Sequence, residues 1–135
     1  MFTITREIEF CYGHRLFNYE GKCKYLHGHN GKVVITLEGP NLDHRGMLVD
    51  FADIKATIKR WIDDNLDHTL LLCRNDPLLP LLQQQQEKVY IMEDHPTAEN
   101  IARLIFEQAV SLRLPVIEVA LWETSQCLAS FHNRG

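Results

Sequence analysis

From Phe2 to His14 the chain alternates. Phe2, Ile4, Ile8 and Phe10 are apolar at even positions, the odd positions between them are polar, and Arg6 is the one exception. A period of two marks a half-buried β-strand. Carried further, the same parity runs through Tyr12 to His14. The segment "KVVITLEG" continues the theme with Val33, Ile35 and Leu37 on one face, and its parity counts back to His29 and His27 in "CKYLHGHN". If the two strands pair as an antiparallel hairpin with no bulge near these ends, three imidazoles extend from their apolar faces. Three neutral imidazoles with a vacant fourth position make a catalytic zinc site. Adding Cys23, four residues before His27, would make a closed structural site of one thiolate and three imidazoles instead, and spacing admits both. A coordinated Cys23 is quenched as a nucleophile or base, whereas a free one beside a cation is available for either role.

Beyond the hairpin, "GPNLDHRG" (39–46) reads as a long turn. From Asp50 the period changes, and Phe51, Ile54, Ile58, Trp61 and Ile62 follow helical spacing. A second helix is expected to start at "PTAEN", with Thr97 as N-cap, Glu99 complementing the positive helix end, and Ile101, Leu104, Ile105 and Leu112 as its stripe. Leu114-Pro115 ends it. "VIEVALWET" and "CLASFHN" then read as two strands joined by a tight hairpin at Ser125-Gln126. Segment 66–92, rich in leucine and broken by Pro77 and Pro80, reads as a loop with a short helical turn followed by a strand near Lys88–Met92. With no repeat and no linker, residues 1–135 are expected to form one domain of two strands, two helices and two strands.

Charge and composition exclude several classes. A net charge of −4 argues against a protein built on binding nucleic-acid backbone. No apolar run approaches the roughly 20 residues of a membrane span, and "MFTITREIEF" lacks the basic start and apolar stretch of a signal peptide. Cys11, Cys23, Cys73 and Cys127 are irregularly spaced, which favours reduced thiols in the cytoplasm over a disulfide framework.

Two further groups carry chemistry. In "LDH", Asp67 either caps the following turn or orients His68 as an acid/base. Ile117, Val119, Leu121 and Glu123 share one strand face, so a carboxylate follows three apolar side chains. If Glu123 is buried it needs a donor or cationic partner, and a ring presenting two adjacent N–H groups would match its two oxygens; if the strand has already reached solvent, it needs none. His44, His95 and His132 read as exposed, and Cys73 and Cys127 as small core or loop residues.

"GHRL", "CKYLHGHN", "MLVDF", "LDHTLL", "PTAEN" and the Glu of "LWET" stand in an order that resembles the 6-pyruvoyl-tetrahydropterin synthase superfamily, over nearly the whole chain from Phe10 to Phe131. The resemblance implies an α+β tunnelling fold: a four-stranded antiparallel sheet with two helices on one face, in ββααββ order, closed into a barrel by trimerisation and stacked as a hexamer. It implies that His14, His27 and His29 bind Zn2+, that Cys23 is the base removing a side-chain proton, that Asp67 and His68 complete proton transfer, and that Glu123 anchors a pterin ring. The implied substrate is 7,8-dihydroneopterin triphosphate. Three residues separate Cys23 from His27, as in the bacterial branch that forms 6-carboxy-5,6,7,8-tetrahydropterin on the way to queuosine; the pyruvoyl-forming branch in animals has a longer gap and is the alternative. A third reading is a non-catalytic pterin- or metal-binding module built on the closed four-ligand site. One departure is visible: Phe10-Cys11-Tyr12-Gly13 stands where many members carry Ser-Ala-Ala, which adds Cys11 near the expected metal.

Overall fold

A computed structural model describes residues 1–133. Strands β1 (Phe2–His14) and β2 (His27–Gly39) pair antiparallel in unbroken register, with His14 opposite His27 and Tyr12 opposite His29. The alternation is realised as read: Ile8, Phe10, Tyr12, Val33, Ile35 and Leu37 are all buried on one face of the sheet. Over them lie two helical segments. The first comprises α1 (Phe51–Ile54), a π-helical stretch (Lys55–Lys59) and α2 (Arg60–Asn65); Asp50 caps it by accepting from the Ala52 N–H at 2.9 Å. In the π stretch the Thr57 hydroxyl donates to the Asp53 carbonyl at 2.6 Å, a back-bond that competes with the regular helix ladder. Ile54, Ile58 and Ile62 are fully buried, whereas Phe51, counted into the same stripe, is exposed.

The sheet has six strands, not four, and it is mixed, not purely antiparallel. Its order is β4-β3-β1-β2-β5-β6. β3 (Thr69–Cys73) lies inside the segment read as a loop; it runs parallel to β1 and to β4 (Val89–Met92), the strand expected near Lys88–Met92. A buried parallel strand carries an apolar run instead of alternation, and Leu70-Leu71-Leu72-Cys73 is such a run, so the period-two test passed over it. Parallel neighbours need a crossover, and α3 (Leu79–Gln84) lies in the link from β3 to β4. The expected ββααββ order is therefore interrupted by a strand, a short helix and another strand between the two main helical segments.

The second main helix, α4 (Ala98–Ser111), begins as expected: Thr97 Oγ1 accepts from the Asn100 N–H at 3.1 Å, and Ile101 and Ile105 are fully buried. β5 (Val116–Trp122) and β6 (Leu128–His132) form the closing hairpin. Its connection spans residues 123–127 and is not a two-residue turn at Ser125-Gln126; the Glu123 N–H donates to the Cys127 carbonyl at 3.1 Å, and the Thr124 hydroxyl accepts from the Gln126 N–H at 3.2 Å.

β3 offers a direct test of this topology. Leu71 is fully buried, adjacent to His14 on β1 and Tyr90 on β4. Leu71→Ala is expected to lower unfolding free energy by about 2–5 kcal/mol, read from the denaturant midpoint. A change under about 0.5 kcal/mol, typical of an exposed loop, would contradict a core strand here.

Candidate metal centre and adjoining acid/base cluster

Strand register brings the three histidines together. The ring centroids of His14 and His27 lie 4.5 Å apart, and His29 lies 5.0 Å from His14 and 5.1 Å from His27. One nitrogen from each falls within a sphere of contacts no wider than 4.8 Å. His14 Nε2 and His29 Nε2 are 3.1 Å apart, close to the roughly 3.3 Å edge of a tetrahedron with zinc–nitrogen bonds of about 2.0–2.1 Å.

Hydrogen bonds on the far side of two rings set the tautomers. His14 Nδ1–H donates to the Pro96 carbonyl at 2.6 Å, and His27 Nδ1–H donates to the Tyr25 carbonyl at 2.7 Å. Each leaves Nε2 with a free lone pair, the arrangement by which outer partners orient metal-binding imidazoles. Burial, and then the neighbouring histidines, outweigh the Pro96 carbonyl and hold His14 down to about 4. Burial likewise lowers His29, against the opposing pull of Glu123. Both rings are therefore neutral ligands at neutral pH.

Glu123 sits against this cluster. Its Oε1 lies 3.3 Å from His14 Nε2 and 3.5 Å from His29 Nε2. With His14 neutral this is no ion pair but an approach of two acceptors, which is unfavourable without a cation near both. Tyr12 supplies one donor, its hydroxyl reaching Glu123 Oε1 at 3.5 Å; burial, then the charge of Glu123, raises the Tyr12 pKa and keeps that proton in place. The donor set, its geometry and its neutral tautomers fit a divalent metal ion.

Asp67 and His68 form a second group, with Cys11. Asp67 Oδ1 accepts from the Cys11 N–H at 3.0 Å, and Asp67 Oδ2 lies 3.0 Å from His68 Nδ1. The His68 N–H donates to the Cys11 carbonyl at 2.7 Å. Burial opposes ionisation of Asp67, but the Cys11 N–H, His68 and Lys88 together hold its carboxyl below the usual range. Cys11, expected near the metal, is one residue out of phase with Tyr12 and groups with Asp67 and His68, while lining the same cleft as His27 and His29. His27, His29, Cys11, His68 and Lys88 line one open cleft of about 610 Å³.

Cys23 lies on the 3₁₀ turn Lys22–Lys24, exposed, its carbonyl accepting from the Leu16 N–H at 2.8 Å. Its sulfur joins neither donor group. Sequence alone does not reveal the roles of Pro96 and Tyr25, because a carbonyl that orients a ring leaves no compositional trace. His95, expected to be exposed, is half-buried, and its Nδ1 is enclosed without a hydrogen-bond partner.

The profile of the 6-pyruvoyl tetrahydropterin synthase family matches residues 3–134. The chain belongs to this family. Among its relatives, the 6-carboxy-5,6,7,8-tetrahydropterin synthase of Rickettsia bellii is 40% identical over 134 residues, covering 94% of this chain and 97% of that one. The protein of the same name from Haemophilus influenzae is 33% identical over 132 residues, covering 92% and 94%. An uncharacterized protein of Wolinella succinogenes superposes with a TM-score of 0.80 at 28% identity, covering 98% of each chain. The Caenorhabditis elegans 6-pyruvoyl tetrahydropterin synthase shares the fold, with a TM-score of 0.74 at 23% identity over 98% of this chain and 95% of that one. As a member of the 6-pyruvoyl tetrahydropterin synthase family, the chain stands among enzymes. Among the described residues, no helix is long and apolar enough to cross a membrane.

Proposed function

We propose that the protein converts 7,8-dihydroneopterin triphosphate and water to 6-carboxy-5,6,7,8-tetrahydropterin, releasing acetaldehyde and triphosphate, as a zinc-dependent lyase. The observation that carries this reading is the convergence of three imidazoles beside a cleft that is also lined by His68, the partner of Asp67. Relatives bearing the 6-carboxy name support the carboxy product over the pyruvoyl one.

In this reading His14, His27 and His29 hold Zn2+, which when bound supplies Lewis acidity toward the hydroxyls of the substrate side chain. Cys23, on the twelve-residue connection between β1 and β2, acts as the base that removes a side-chain proton. His68, aligned by Asp67 Oδ2, moves the proton on the other side of the reacting carbons. Glu123 accepts from two adjacent N–H groups of the pterin ring, with the Tyr12 hydroxyl beside its Oε1.

The reading extends to assembly. β4 and β6 form the two edges of the protomer's sheet, and closing such edges against neighbouring copies removes unpaired backbone groups. A trimer doubled to a hexamer is the expected state, and it would set Cys23 of one protomer beside groups of another. A monomer by light scattering at micromolar concentration would refute the assembly.

The decisive experiment incubates zinc-loaded protein with 7,8-dihydroneopterin triphosphate and identifies products by mass. A carboxy product with acetaldehyde is expected. A pyruvoyl product would move the chain to the other branch, and unchanged substrate would overturn the enzymatic reading.

A further inference from the structure

We propose that Cys11, Asp67 and His68 form a second site for a thiophilic divalent cation of the zinc type, distinct from the three-histidine centre. The sulfur, a carboxylate oxygen and an imidazole nitrogen of these residues lie within 4.8 Å of one another. Zinc bonds of about 2.0–2.3 Å require donor separations of roughly 3.3–3.7 Å in a tetrahedral site, so the widest separation in the group has at most about 1.5 Å to close. The backbone is already in place for that. Cys11 N–H to Asp67 and His68 N–H to the Cys11 carbonyl staple β1 to the turn before β3, and His68 adopts φ +56 there. The closing movement falls on the His68 side chain, which is 78% exposed and meets no packing obstacle of a buried ring. Asp67 is ionised, and each of its oxygens retains a lone pair beyond the one its hydrogen bond uses.

A mixed sulfur, oxygen and nitrogen set suits zinc, cadmium or cobalt and disfavours magnesium or calcium, which take oxygen ligands. The fourth position opens to the cleft shared with His27 and His29. On binding, the Cys11 thiol releases its proton to solvent and the ion engages Asp67 and His68. If these two residues transfer protons as proposed above, on which this second half rests, an ion here removes them from turnover. The site would then make the protein sensitive to metal in excess of its own requirement.

Cobalt titration of the metal-free protein tests the site without reference to catalysis. Two equivalents per chain are expected, one of them carrying a thiolate-to-cobalt charge-transfer band. Cys11→Ser should lose that band and that equivalent alone, and Cys23→Ala should keep both. A His27→Ala/His29→Ala variant should lose the other equivalent and keep the band. Asp67→Asn, which keeps an oxygen for the Cys11 N–H, should weaken the thiolate-bearing equivalent at least tenfold and serves if Cys11→Ser does not fold. A single equivalent in the unsubstituted protein, or a band that survives in Cys11→Ser or disappears in Cys23→Ala, overturns the site. Excess zinc should suppress product formation by the unsubstituted protein and spare Cys11→Ser. Equal suppression of both would discard the inhibitory role, and failure of the protein to turn over at all would discard the proposed function while leaving the titration result standing.

Discussion

Cys23→Ala is expected to keep a full complement of zinc while turnover falls by about 10²–10⁴-fold, the usual loss for a positioned general base. The thiol belongs to an exposed 3₁₀ turn and lies outside the group formed by His14, His27 and His29, so removing it should take nothing from the proposed ligands. Substrate binding should persist, because in the proposed reading Glu123 holds the ring and the metal centre holds the side chain. Glu123→Gln makes the contrast. It replaces a double acceptor with one acceptor and a donor amide, and KM should rise as well as kcat fall. Metal analysis and steady-state kinetics on the two variants separate the roles. Loss of zinc from Cys23→Ala would make the thiol a ligand, close the site, and remove the basis for catalysis at this centre.

His27→Ala and His29→Ala are each expected to abolish stoichiometric zinc binding and leave a folded protein. Both residues lie at the outer end of β2 and are only half-buried, with Gly28 and Asn30 exposed between and beside them, so their loss opens no core cavity. The effect on affinity should exceed the roughly 10–100-fold cost of deleting an outer partner of a metal ligand. His14 is a poorer choice for the experiment, since its ring is buried and bonded to Pro96, and its removal would disturb packing together with ligation. Zinc at one per chain in both variants, by elemental analysis, with an unchanged circular dichroism spectrum, would refute the ligand assignment.

The hairpin that carries the centre is written in local residue order. Parity in β1 and β2 placed His14, His27 and His29 on the buried face, because side chains alternate strictly across a strand and one apolar face leaves a single acceptable register. Helix starts near Asp50 and at Thr97 are equally legible, the first from a change of period and the second from a capping side chain before a run of helical period; the Asp50 cap emerges in the structure. Ordered motifs pointed to the family that the comparisons then established. Features that depend on residues distant in the chain emerge only on folding. β3 pairs with β1 across more than fifty residues, and its apolar run has no period of its own to announce it. The same long-range contact assigns Cys11 to Asp67 and His68, although Cys11 stands only three residues from His14. The Pro96 carbonyl that sets the His14 tautomer, and the seat of Glu123 between two imidazoles and Tyr12, are likewise products of packing. Local periodicity reports which face a residue occupies; which partner it meets there is settled only when distant elements pack against each other and burial forces each polar group to find a match.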